Sequence, residues 1–170
     1  MLRQIELNHQ IKNKIEETII EFNAVPKLKS IRGLLNTESQ HEVAEFLLTT
    51  PGISKEKVGV FLGHPDQKDN GVLLAFAQTI DFSGLDMVSA MRLFLSLFRL
   101  PGESQQIERI MDAFSRVYYH DNPDDFKDHE EVYVLAFSFI FLNTLTFNKN
   151  VAESRKMKRE DFVRINSQAL

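Results

Sequence analysis

Cysteine is absent from the 170 residues, which removes thiol catalysis, sulfur-ligated zinc and disulfides together and suits a reducing compartment. Strong charge of one sign is absent too: a net charge of −4 gives no global field that would attract nucleic acid. The basic cluster Arg155-Lys156-Met157-Lys158-Arg159 has Glu153, Glu160 and Asp161 around it and reads as a solvated helix start. There is no long apolar run. The most hydrophobic stretch, Val132 to Leu142, falls far short of the ~18 to 20 residues that a bilayer span needs. Met1-Leu2-Arg3-Gln4-Ile5-Glu6 puts charge where a signal peptide has its apolar core, so a cytosolic protein is the simplest expectation. No stretch alternates with a period of two for long enough to need a strand, and no self-similarity recurs at a fixed period. The five His are scattered without paired ligand spacing, which argues against a metalloenzyme or a hydrolase. His41, His64, His120 and His129 read as surface or capping residues. Neither a metal nor a cofactor is expected.

What the sequence does contain is helix. With 43% hydrophobic side chains the chain can bury a substantial core without a metal or disulfide staple, so a single globular unit over 1–170 is expected. Leu2, Ile5, His9, Ile11, Ile15, Ile19 and Phe22 recur mostly at three- and four-residue steps, predicting a long amphipathic helix stopped by Asn23 and Pro26. Shorter helices follow over Lys27 to Leu35, His41 to Leu48, and Lys55 to Leu62. The last has Ser54 as its N-cap and is closed by Gly63, His64 and Pro65. Asn70 is positioned to cap Gly71 to Ile80, Asp86 to open Met87 to Leu97, and Asp128 to cap His129 to about Thr144. Glu103 to Tyr119 and a short Asp161 to Ile165 complete an all-α pattern of eight or nine helices with short connections. These are too many and too short for a four-helix bundle; a stack of helix pairs in a superhelix fits better.

Two stretches need a reason. In Phe98-Arg99-Leu100-Pro101-Gly102-Glu103-Ser104-Gln105, Pro101 fixes φ and Gly102 is permissive, so Glu103 is offered at a turn where a helix begins. A carboxylate in a first helical turn gains ~0.3 to 1 kcal/mol from the macrodipole, which would account for a Glu there without any function. The run from Tyr133 to Thr144 is hydrophobic all round apart from Ser138. It is either a central core helix or one whose outer face is a binding groove. Phe137, Ile140, Phe141 and Thr144 share one face, with Asn143 and Asn148 as polar groups at its end.

Together these stretches resemble the two signatures of the Sec7 domain, the catalytic module of guanine-nucleotide exchange factors for Arf-family small GTPases. Phe98 through Arg109 resembles the first signature and Tyr133 through Thr144 the second. Supporting similarity runs in register from Phe22-Asn23 through Val58 to Gly63 and Ala90 to Leu95, to Met157-Lys158-Arg159-Glu160-Asp161-Phe162. The resemblance implies a right-handed superhelix of about ten helices, with an N-terminal helical part over 1–97 and a catalytic-loop and groove part over 98–170. It implies that the groove between the signatures clasps an Arf-family GTPase, in GDP-bound and nucleotide-free forms. Glu103 would enter the nucleotide site as a finger. Phe137, Ile140 and Phe141 would form the groove wall, with Asn143 and Asn148 at its end, and Arg99, Gln105 and Glu108 would brace the loop or meet the partner. The implied work is nucleotide exchange in vesicle trafficking without covalent chemistry, in the cytoplasm at membrane surfaces reached only indirectly.

Two departures from the family pattern bear on this. The family follows Asn143-Thr144 with Asp or Ser, Leu, His, Asn and Pro, whereas this chain has Leu145-Thr146-Phe147-Asn148-Lys149. Beyond Phe162 the family continues through a Gly-rich link into a further helix, so a domain truncated at its C-terminal end is expected. The rival to an exchange factor is a non-catalytic helical interaction domain of the same fold, with intact Glu103 favouring the first and the altered 145–149 segment the second.

Overall fold

The computed structural model describes residues 2–147 and 158–169, and the described residues form ten α-helices and no strand. They are α1 (Leu2–Ala24), α2 (Leu28–Leu35), α3 (Gln40–Thr49), α4 (Lys55–Gly63), α5 (Pro65–Asp69), α6 (Val72–Gln78), α7 (Met87–Ser96), α8 (Ser104–Asp121), α9 (His129–Phe147) and α10 (Arg159–Ala169). Among the described residues no helix is long and apolar enough to cross a membrane.

The helix ends follow the expected chemistry with instructive differences. The Ser54 hydroxyl accepts from Lys57 N at 3.4 Å, and Asp86 Oδ1 accepts from Val88 N and Ser89 N at 3.0 Å each. The Ser89 hydroxyl and amide hold the Asp86 carboxyl below its ordinary pKa. Asp128 Oδ1 likewise takes the amides of Glu130 and Glu131, while Glu131 Oε2 reaches back to Lys127 N at 2.8 Å. His64, expected only to end α4, also starts α5: its Nδ1 accepts from Asp66 N and Pro65 occupies the first helical turn, where a missing N–H costs nothing. That extra helix raises the count to ten among the described residues, above the eight or nine read from periodicity, while α10 is longer than the Asp161 to Ile165 expected.

The chain divides into two compact units, one of residues up to Ile80 with Leu93–Ile110, the other of Asp81–Arg92 with residues from Met111 onward. In the first, Phe22 and Phe61 meet edge to face at 5.4 Å. Phe76, Phe94 and Phe98 form a second buried cluster, with ring centroids 5.2 to 6.5 Å apart. Ile31, Val43, Leu62, Val72 and Leu73 complete that core. Asn23 ties α1 to the segment before α4, donating to Gly52 O and accepting from Ser54 N, each at 2.8 Å.

The core of the second unit is built on Phe82, Phe114 and Tyr118, with Phe82 edge-on to Phe114 at 5.3 Å and Phe114 stacked on Tyr118 at 5.7 Å. Buried Asn122 satisfies three backbone groups at once: Nδ2 donates to Phe82 O and Tyr118 O, and Oδ1 accepts from Gly84 N at 2.8 Å. Asn122→Ala therefore strands polar groups in a dry core and should lower the unfolding free energy by ~2 to 4 kcal/mol in urea titration. Burial, then the charges of Asp125 and Asp86, push the Tyr118 phenol above its ordinary pKa, so the neutral hydroxyl that donates to Leu85 O is favoured by folding. The folded phenol keeps its proton to higher pH than the unfolded one. Its contribution is complete below pH ~10 and is lost as pH rises through the folded value, so Tyr118→Phe should flatten the alkaline fall in stability.

Candidate functional site

The loop between α7 and α8 is fixed from its backbone. Phe98, 3% exposed, seats its start in the Phe76 and Phe94 cluster. Arg99 N donates to Lys55 O at 2.9 Å, and Lys55 Nζ donates to Ser96 O at 2.6 Å, supplying a cation to the carboxyl end of α7. The Arg99 carbonyl lies so close to Gly59 that a Cβ there would sit 1.8 Å from its oxygen. Past the loop, a Cβ on Gly63 would lie 2.7 Å from Gln106 Cβ, and Arg109 Nε donates to Gly63 O at 2.7 Å. Sequence reasoning does not reach these α4 contacts. The available signal is Gly59 inside a helix, where glycine costs ~1 kcal/mol against alanine and so asks for a reason, with Gly63 four residues on at its end.

Between these anchors Leu100 and Pro101 are half-buried, and Gly102, Glu103, Ser104 and Gln105 stand exposed. Glu103 precedes α8 rather than lying in its first turn: its carbonyl accepts from Gln106 N and Ile107 N at 3.0 Å each, the geometry of an N-cap. Its carboxylate makes no hydrogen bond or ion pair among the described residues, which leaves it only the macrodipole at the start of α8. Gly102 does not adopt a positive φ, and the loop bends there without needing glycine's extra freedom. Gln105 and Glu108 are exposed on α8, and exposed Arg99 faces Glu56 at 3.9 Å, a contact worth at most ~1 kcal/mol.

In the second unit, α9 is not a core helix throughout. Val132 and Ala136 are fully buried, whereas Phe137 and Ile140 are half-buried, Phe141 is 50% exposed, and Asn143 is exposed. Tyr133 and Phe137 lie with ring centroids 5.9 Å apart, and Phe139 stacks on Phe162 of α10 at 5.6 Å. An apolar helix face left partly uncovered is what a partner-binding surface would require. Asn148 and Lys149 lie outside the described residues.

The family model for the Sec7 domain matches residues 11–169. The chain belongs to the Sec7 domain family. Among curated relatives it is 41% identical over 160 residues to the ankyrin repeat, PH and SEC7 domain containing protein secG of Dictyostelium discoideum, covering 90% of this chain and 16% of that protein. It is 39% identical over 166 residues to the brefeldin A-inhibited guanine nucleotide-exchange protein 4 of Arabidopsis thaliana, covering 95% and 10%. The chain thus spans a small part of these relatives. A solved structure of ARF1-GDP bound to a Sec7 domain complexed with brefeldin A superposes with a TM-score of 0.82 at 32% identity, over 94% of this chain and 82% of that one.

The exposure of this Sec7 domain's α9 face separates surface from core along one helix. Phe141→Asp should leave far-UV circular dichroism unchanged and move stability by less than about 1 kcal/mol. Ala136→Asp, which buries an unpaired carboxylate, should unfold the unit or cost at least about 3 kcal/mol in the same titration.

Proposed function

We propose that this Sec7 domain is a guanine-nucleotide exchange factor for an Arf-family GTPase, with Glu103 as the carboxylate that expels the nucleotide. The observation that carries the reading is an exposed carboxylate without a partner among the described residues, on a loop held by its backbone. An unpaired carboxylate on an anchored loop suits entry into a partner's site, because no interaction has to be broken first. The solved complex of a Sec7 domain with ARF1-GDP and the exchange-factor relatives support the choice of partner.

A small GTPase holds its nucleotide through Mg²⁺, a phosphate-binding Lys and backbone amides. A carboxylate brought there repels the β-phosphate and competes for the Lys. Two like charges ~4 Å apart repel by ~4 kcal/mol at an effective dielectric near 20, enough to change a dissociation rate roughly a thousandfold. The partner's own switch rearrangement supplies the rest, and the cell's excess of GTP over GDP sets the direction. Phe137, Ile140 and Phe141 offer apolar contact to the GTPase. Arg99, Gln105 and Glu108 offer polar contacts from the first signature, Asn143 one from the second, and Asn148 completes the assignment. The domain works in the cytoplasm and meets membranes through its GTPase.

GDP release from an Arf-type GTPase tests this directly. The native chain should accelerate release, and Glu103→Lys should remove that acceleration, by roughly a thousandfold on the charge argument, while keeping the native melting curve. If no Arf paralogue responds to the native chain, the chain is a non-catalytic interaction domain of Sec7 type. Equal activity in Glu103→Lys would reject the finger assignment alone.

A further inference from the structure

Helix α4 touches the chain on both sides of Glu103. Lys55, Gly59 and Gly63 recur every four residues and so share one stripe of the helix. Lys55 O takes the Arg99 amide, Gly59 receives the Arg99 carbonyl, and Gly63 receives the first turn of α8 at Gln106 and the guanidinium of Arg109. Both glycines are buried, and neither has a positive φ that would otherwise demand glycine. What they provide is the absence of a side chain.

The spacing of the two glycines sets the shape of the loop. Arg99 O and Gln106 Cβ lie 1.8 and 2.7 Å from glycine Cβ positions that are themselves ~6 Å apart, so the two atoms are within about 11 Å of each other. The seven steps from Arg99 to Gln106 could reach ~18 Å with Arg99 to Glu103 extended and the rest in α8. The excess length must bow outward, and Pro101, Gly102 and Glu103 lie in it; a Cβ on Gly102 would meet nothing within 4 Å.

We propose that Gly59 and Gly63 are positioning residues for nucleotide release: their missing side chains fix both ends of the loop and thereby the place of Glu103. The inference rests on the exchange-factor reading above. Real Cβ atoms essentially never come under 3.0 Å, so Gly59→Ala must move the Arg99 carbonyl by about 1.2 Å, and backbone has no rotamer by which to yield. Misplacement by ~1 Å at a distance from the reacting groups can cost about a hundredfold in rate. Gly63→Ala collides instead with Gln106 Cβ, an atom that a second substitution can remove.

Initial rates of GDP release across a range of Arf GTPase concentrations decide it, for the native chain, Glu103→Lys, Gly59→Ala, Gly63→Ala, Gln106→Gly and Gly63→Ala with Gln106→Gly. Gly59→Ala and Gly63→Ala should lower kcat by ten- to a hundredfold with KM within about twofold. Gln106→Gly should restore the Gly63→Ala enzyme to within about threefold of Gln106→Gly alone, because it moves the clash away and changes no other contact of Gly63. Hydrogen exchange at the Arg99 amide, read without GTPase, should quicken in Gly59→Ala. Unaltered kcat in a folded glycine variant, a rise in KM alone, or failure of Gln106→Gly to rescue Gly63→Ala would overturn the proposal. Should Gly59→Ala not fold, the Gly63 and Gln106 pair decides between these outcomes. Loss of the effect of Glu103→Lys, or an inactive native chain, would instead strike the exchange reading itself.

Discussion

A backbone carbonyl can lie against the side of a helix only where the helix has no side chain, and the contact between Arg99 and Gly59 is of that kind. It sets how deep the chain runs as it leaves α7. With Arg99 at that depth its N–H reaches Lys55 O, and the preceding residue, Phe98, enters the space between Phe76 and Phe94. The order of strength is clear. A hydrogen bond contributes ~0.5 to 1.5 kcal/mol net and a buried Phe somewhat more, whereas steric overlap at 1.8 Å is prohibitive. The contact is therefore a condition for the others rather than one term among them.

Glu103 and the apolar face of α9 contribute different physical quantities to the proposed encounter. The loop contributes one charge, whose effect depends on distance and is spoiled by small displacement, so it is held by close packing and backbone bonds. The α9 face contributes apolar area, whose effect is non-directional and tolerates adjustment, so half-buried Phe137, Ile140 and exposed Phe141 suffice without being locked by polar partners. Under the proposed function, affinity for the GTPase would vary through α9 while the charge stays in place. The resemblance to the family is weaker over the segment 145–149 than over the first signature, where Glu108 keeps the charge of a position usually Asp.

Most of the helices are legible in the sequence because their ends are written locally. Ser54, Asp86 and Asp128 cap the helices that periodicity places after them, and those bonds span only two or three residues. Helix α5 is not legible, since Pro65 stops one helix by the same property that lets it begin another. Helix α9 is ambiguous for a different reason: when every face is apolar, periodicity carries no information about which face is covered, and only tertiary structure separates Ala136 from Phe141. Glu103 stands out through the resemblance of its surroundings to a known signature, whereas its neighbours alone favour a helix-start carboxylate. The role of the α4 glycines is hidden because their partners lie about 40 residues further along the chain, beyond any local pattern.

The features that local rules handle worst are the ones that the proposed activity uses. A Glu at an N-cap, where Ser, Thr, Asp and Asn are preferred, leaves its carboxylate without a hydrogen bond or ion pair among the described residues. Gly59 in the interior of α4 weakens that helix by ~1 kcal/mol relative to alanine. A Phe half in water on α9 gives up part of the burial that would have stabilised the fold. Each is a loss when the domain is considered alone, and under the proposed function each would become a gain with a nucleotide-binding partner: the carboxylate would meet a phosphate to repel, the glycines would keep it in place, and the Phe would be covered. Losses that share one remedy are better explained by that remedy than one at a time.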